Sequence, residues 1–147
     1  KMANVVPDSF KTDLLKAKFS FDTSGNSGTA FKLALYTDIS GLSTSTTAYT
    51  TTNEVSSSGT SYTAGGNTLT NNGVAIASNI GYVDFADLTF SSVTLTAVGA
   101  LIYKSASPHN AVLVLDFGGS KTATNGDFVV QFPTASSSAA IIRLGNA

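Results

Sequence analysis

Cysteine and tryptophan are absent, histidine and methionine occur once each, and proline three times. Without cysteine, disulfide scaffolds, thiolate metal sites and cysteine nucleophiles drop out together. With a single histidine as well, a three-ligand zinc centre has too few donors. Charge is scarce: 12% of residues, for a formal net charge of -1. So neutral a chain has no basic track for a phosphate backbone, and nucleic acid is not an expected partner. No run of about 18 apolar residues occurs, so no transmembrane span is expected. The first residues lack the charged-then-apolar layout of a signal peptide, and Met2, behind Lys1, reads as the natural start.

Serine and threonine are abundant, with 20 residues each. They cluster in some segments and thin out in others, which separates loops from strands. At 147 residues the chain reads as one domain, long enough to bury about 68–70% of its extended surface without staples. The stretch from Tyr82 to Gly119 holds the two most apolar runs, Val93–Tyr103 and Ala111–Phe117. In the second run Ala111, Leu113, Leu115 and Phe117 alternate with Val112 and Val114. A strand apolar on both sides is covered on both sides, which predicts a central hairpin of a layered β-structure. The polar connector Lys104–Asn110, with Pro108, suits a loop longer than a two-residue turn. In the first run the apolar phase flips near Gly99, which predicts a bulge or a close backbone approach there.

The opening segment has another texture. Pro7, Asp8 and Ser9 supply a stop and an N-cap candidate. Phe10, Leu14 and Leu15 then recur at helical spacing, with Lys11, Asp13 and Lys16 facing elsewhere. A helix of about two turns is stable only if its stripe docks. It is read either as a lid on the domain's own sheet or as an arm that docks on a neighbouring subunit. Further along, Lys18–Phe21 is a possible first strand, followed by a turn over Thr23–Thr29. Phe31–Thr37 alternates, with Phe31, Leu33 and Leu35 inward. Ser40–Thr52 has no core face and reads as a surface excursion. Glu54–Val55 resumes a short strand, and Ser56–Gly73, with four glycines, is a hairpin anchored by Tyr62 and Leu69. Val74–Ile80 and Tyr82–Phe85 are strands. Thr124-Asn125-Gly126-Asp127 signals a turn before the strand Phe128–Phe132, and Ile141–Leu144 closes the chain. The expected fold is all-β, an antiparallel sandwich of jelly-roll type or a barrel. About seven to nine strands and one short N-terminal helix are expected, with residues 1–17 as arm and helix and 18–147 as the sandwich.

The templates for chemistry come up empty. His109 sits in the loop with Pro108 and Asn110, and no G-x-S-x-G elbow offers it a serine. Asp84, Asp87 and Asp116 are the candidates for an acid pair of the glycosidase kind. Each also suits a turn or a strand end. There is no calcium loop or phosphate loop, and no cofactor is expected. Tyr36, Tyr49 and Tyr62 are the candidate ligand-facing aromatics, provided they converge on an exposed face.

Several phrases taken together carry a resemblance. They are VVPDSFKTDLL, FKLALYT, TNEVSSSGTSYTAGGNTLTN, YVDFADLTF, ALIYKS, AVLVLDFGG with Lys121 after it, and FVVQFP. In that order, over most of the chain, they resemble short β-rich proteins encoded among virion structural genes of environmental tailed phages. The resemblance implies a non-enzymatic virion component, a capsid decoration (cement) protein or a tail or neck accessory. Its expected partners are copies of itself, a trimer foremost, and other virion proteins. Its expected location is the virion, assembled in the host cytoplasm. Phe10, Leu14 and Leu15 are its candidate docking residues. The alternative is a receptor- or carbohydrate-binding module on the particle, reading host-surface glycan. An enzyme using the three aspartates is the third reading.

Overall fold

Two long strands organise the chain, β5 (Leu88–Lys104) and β6 (Ala111–Val130). In the computed structural model, which describes residues 4–24 and 28–146, they pair antiparallel along nearly their whole length. This is the expected central hairpin. The short strand β1 (Phe31–Tyr36) pairs antiparallel with the Gly99–Lys104 half of β5, and β2 (Asn67–Thr68) lies on β1's far side. The order of this sheet is β2-β1-β5-β6. A second antiparallel sheet has the order β3-β4-β7, with β3 (Asn71–Ala77), β4 (Ile80–Phe85) and β7 (Ile142–Leu144). Neither sheet closes on itself. The described residues are thus mostly β, with one helix, α1 (Asp8–Leu15).

The hairpin is covered on both faces, as its two-sided apolar pattern requires. One face holds Phe31, Leu33, Leu35, Ile102, Leu113 and Leu115 in the main core. The other holds Ala34, Tyr36, Leu101, Tyr103 and Val114 in a second cluster. Ala111 was expected beside Leu113. A register shift between Ile102 and Tyr103 instead puts Ala111 in the second cluster and Val112 in the first. At Gly99 the expected irregularity is present. Between Ala97↔Lys121 and Gly99↔Asp116 the pairing advances two residues on β5 and five on β6. Gly118 and Gly119, at φ 73° and 138°, accommodate the extra β6 residues as a bulge. A side chain at Gly99 would run into the Leu115 carbonyl and the Ile39 side chain.

Four expectations need correction. Thr124–Asp127 is not a turn but lies inside β6, where Asn125 takes φ 46° at a bulge facing β5. Phe128 and Val130 continue to pair with Phe90 and Leu88, so a partner strand of sufficient length overrides the local turn signal. Lys18–Phe21 forms no strand. Phe19 and Phe21 are instead a wedge, with Phe21 stacked on Phe31 at 4.8 Å and Phe19 beside Phe10 at 5.3 Å. Ser40–Thr52 is no free excursion. Ile39 and Leu42 are buried in the second cluster with Tyr49 packed against it, and Ala48 bridges to Asn110. The loop is the cover that the outer face of β1 needs. Finally, the expected strand Val74–Ile80 is interrupted: β3 ends at Ala77, the β3–β4 turn falls at Ser78-Asn79, both at positive φ, and Ile80 opens β4. Of the turn expected over Thr23–Thr29, residues 25–27 lie outside the described residues, as do Lys1 and Met2.

Helix α1 begins behind Pro7, with no side-chain cap, so neither Asp8 nor Ser9 serves as N-cap. Phe10, Asp13 and Leu14 share its inner face, at the i, i+3, i+4 spacing. Phe10 and Asp13 are buried and Leu14 is half-buried against the core. Asp13 was expected to face away, but its carboxylate accepts a hydrogen bond from Asn110 Nδ2 at 2.8 Å and pairs with Lys18 Nζ at 3.0 Å. That contact ties the helix to the β5–β6 connector.

Candidate functional site

The densest gathering of polar chemistry surrounds Glu54, next to the β1 edge of the larger sheet. The chain reaches it because β1 ends at Tyr36, the following loop returns, and Glu54 bridges to Tyr36. Tyr49 Oη donates to Glu54 Oε2 at 2.6 Å. Tyr62 Oη donates to Oε1 at 2.8 Å, and the Gly65 N–H to the same oxygen at 2.6 Å. Tyr62 Oη in turn accepts the Leu35 N–H at 3.0 Å. Tyr36 Oη donates to the Thr50 carbonyl at 2.6 Å and Tyr103 Oη to the Gly65 carbonyl at 2.7 Å. The rings of Tyr49 and Tyr103 stack at 4.6 Å, and exposed His109 meets both edge-on.

Burial, with the Glu54 charge beside them, pushes the Tyr36, Tyr49 and Tyr62 phenols far above their ordinary range. Tyr103 is pushed up to about 12 by the same two causes. All four therefore stay protonated and serve as donors. Each of these hydroxyls donates within the chain, and among the described residues no buried side-chain polar atom lacks a partner. The arrangement can fasten three loop segments to the sheet, but it leaves no donor aimed at an open space.

This settles where the candidate tyrosines stand. Tyr36, Tyr49 and Tyr62 do converge, together with Tyr103. However, Tyr36 is fully buried, Tyr62 is 3% exposed and Tyr49 half-buried. They converge inward and present no ring platform to a ligand. The physical reason is that their hydroxyls find a carboxylate and carbonyls inside, so the rings can enter the core.

The three candidate aspartates lie on different stretches of the fold, and each accepts a hydrogen bond from within the chain. Asp84, on β4, accepts from Asn72 Nδ2 at 2.7 Å. Asp87, between β4 and β5, accepts the Phe132 N–H at 2.8 Å. Asp116, at the β6 bulge, accepts the Gly118 N–H at 2.8 Å. Among the described residues no three His, Asp or Glu side chains come together in a way that could hold a metal ion. Of the candidate docking residues, Phe10 is core and Leu14 is packed half against it, while Leu15 is 87% exposed.

Sequence reasoning passed over Glu54. From Ile39 to Val83 it is the sole charged residue, and tyrosines flank it on both sides. A lone carboxylate in so neutral a stretch needs partners, and that was the available signal.

The other notable surface is apolar. An open groove of about 420 Å³ runs across the smaller sheet, lined by Leu14 of the helix and by Val74, Ile76, Tyr82, Ile142 and Leu144 among the residues of the sheet's three strands. Val74, Ile76 and Leu144 are 62%, 75% and 69% exposed. Among the described residues no helix is long and apolar enough to cross a membrane. No protein-family model, curated protein or solved structure matches the chain.

Proposed function

We propose that this protein is a non-enzymatic assembly component of a tailed-phage particle, a capsid decoration protein or a tail or neck accessory. The location follows the resemblance carried by its sequence phrases. The observation that supports an assembling role is the bare apolar surface of the smaller sheet, where Val74 and Ile76 on one edge strand and Leu144 on the other stand in water beside an apolar groove. Contiguous apolar surface of this kind marks contact with another macromolecule. The rest of the chemistry suits a rigid block. The Glu54 hub and the Asp13–Asn110 contact hold loops and helix to the sheets, and the two sheets are read as the layers of a sandwich. Leu15, pointing outward from α1, is the part of the helical stripe free to touch a neighbour.

The glycan-binding alternative rested on grouped, exposed tyrosines, and those tyrosines face inward. A hydrolase would have needed two of the three aspartates across a cleft, and each is engaged in a hydrogen bond within the chain. The test is labelling of intact tailed-phage particles with an antibody against the chain, read by electron microscopy. Regular labelling of head, neck or tail is expected. Purified infectious particles that lack the chain altogether would contradict the reading.

A further inference from the structure

The margin of the smaller sheet has a geometry that points to one occupant. The β3–β4 hairpin turns through Ser78 at φ 49° and Asn79 at φ 63°, the two-residue turn with both central residues left-handed. In such a hairpin the closing pair, Ala77↔Ile80, exchanges both backbone hydrogen bonds, and bonded pairs then alternate along the ladder. Ala75↔Tyr82 is therefore bonded as well, and the N–H and C=O groups of Val74 and Ile76 point away from β4. Among the described residues no backbone bond outside the ladder reaches either residue.

The other sheet margins carry protections: the half of β5 that β1 leaves unpaired is bulged around Ser92, and its Thr94 N–H donates to the Thr60 carbonyl. β2 is two residues long, and Val5 pairs with Val114 on β6. Farther along, β6 carries the Gly118-Gly119 bulge, Lys121 and Asp127, and β7 carries Arg143. Short length, cover, bulges and charges are the usual protections of a strand edge. On β3, beyond the bulge at Asn71/Gly73, the stretch Val74–Ala77 is regular and neutral and has no cover among the described residues. No charged residue lies anywhere between Glu54 and Asp84. A neutral, regularly alternating edge offers a foreign partner no charge to read. It is complementary to itself, because nothing on it repels a second copy.

We propose that β3 is the edge through which this protein pairs with a second copy of itself. The two β3 strands run antiparallel about a two-fold axis at Ala75, joining two three-stranded sheets into one of six. In that register Val74 faces Ile76 of the second copy in a bonded pair, and Ala75 faces Ala75 in a non-bonded one. The outward N–H and C=O groups of Val74 and Ile76 all find partners. The exposed Val74 and Ile76 side chains supply only about 200 Å², short of the roughly 800 Å² per partner of a standard interface. The apolar groove beside them is continuous with the edge and supplies further apolar area to the same contact. Such a contact is isologous, so it makes a dimer and not the trimer expected from the sequence. It deepens the assembly reading above and rests on it only for its purpose in the particle.

The cysteine-free chain makes the test direct. In an antiparallel non-bonded pair the Cα atoms lie about 4.5 Å apart, within disulfide range. Ala75→Cys is expected to cross-link into a covalent dimer under mild oxidation, while Thr94→Cys on the other sheet is not. By sedimentation the wild type is expected to be a dimer at micromolar concentration. Ile76→Lys is expected to weaken it by about 100-fold or more, since it buries an unpaired ammonium. Val74→Pro removes an outward N–H without touching the ladder to β4, and is expected to weaken the dimer by about tenfold. Circular dichroism establishes that each variant is folded, and either one suffices if the other is not. The proposal is overturned by a wild type that stays monomeric to about 100 µM. It is equally overturned by a dimer that folded Ile76→Lys leaves intact, or by Ala75→Cys that cross-links no better than Thr94→Cys. Particle labelling is a separate readout: a chain present on particles but monomeric here removes the pairing alone, and a β3 dimer absent from particles removes the virion role alone.

Discussion

Around Glu54, four tyrosines, a carboxylate and a backbone amide satisfy one another inside the chain. Along β3, an apolar strand of the same domain leaves its side chains and one side of its backbone in water. The first region is rich in groups that could do chemistry and spends them on holding loops. The second has almost no chemistry and is left unfinished. Chemically versatile residues are therefore poor guides to function when their partners are internal. The more informative region is the one whose needs the chain does not meet.

The two regions are joined through aromatic packing, and cutting that join should have the largest effect. Phe31 of β1 stacks on Phe21 and meets Phe85 of β4 edge-on at 5.7 Å. Phe31→Ala should cost about 3–5 kcal/mol in urea unfolding, and loss of less than half of that would mean the sheets are held elsewhere. Glu54→Ala removes the acceptor of three donors at once. It should cost about 2–3 kcal/mol, with partial recovery in a double variant that also carries Tyr49→Phe, because the Tyr49 hydroxyl then stranded is gone. A Glu54→Ala protein as stable as wild type would show the hub to be ornamental.

A smaller effect separates helix from sheet by pH. The ordinary carboxyl value for Asp13 is 3.8, and the fold lowers it, chiefly through the Lys18 hydrogen bond and also through Asn110, against burial. A group whose value is lowered by folding stabilises fully above its unfolded value and loses that contribution as pH falls through the folded one. Stability should therefore decline below about pH 4. Asp13→Asn should cost on the order of 1 kcal/mol at neutral pH and flatten that decline. Some slope should survive, because Asp22 and Asp38 are lowered too, through Ser24 and Ser40. An unchanged acid profile in Asp13→Asn would remove the latch. The smallest effect belongs to β3: Ile76→Lys should alter the unfolding energy of the isolated monomer by no more than about 0.5 kcal/mol. A larger loss would mean that the chain itself covers the edge.

The sequence was most legible where one physical pattern ruled. Two-sided apolar runs foretold the covered β5–β6 hairpin, and the phase flip at Gly99 foretold its irregularity. It was misleading where a local signal met a longer-range demand. Asn125-Gly126 carries turn chemistry, yet Phe128 and Val130 are claimed by Phe90 and Leu88 across the ladder. Ser40–Thr52 looks solvated by composition, yet the outer face of β1, with fully buried Ala34 and Tyr36, needs a cover. The tyrosines could not be judged inward or outward without knowing that Glu54 would sit among them. The open edge of β3 was hidden for another reason. Val74–Ala77 reads as an ordinary strand, and only the sheet order shows that no strand among the described residues lies beyond it.

Hydrogen exchange followed residue by residue over a concentration series tests the contrast most directly. The account predicts that the Val74 and Ile76 amides exchange freely in dilute solution and become protected as concentration rises, while those of Leu35 and Gly65 are protected throughout. Val74 and Ile76 amides that are slow at every dilution, or that stay fast at every concentration, would contradict it.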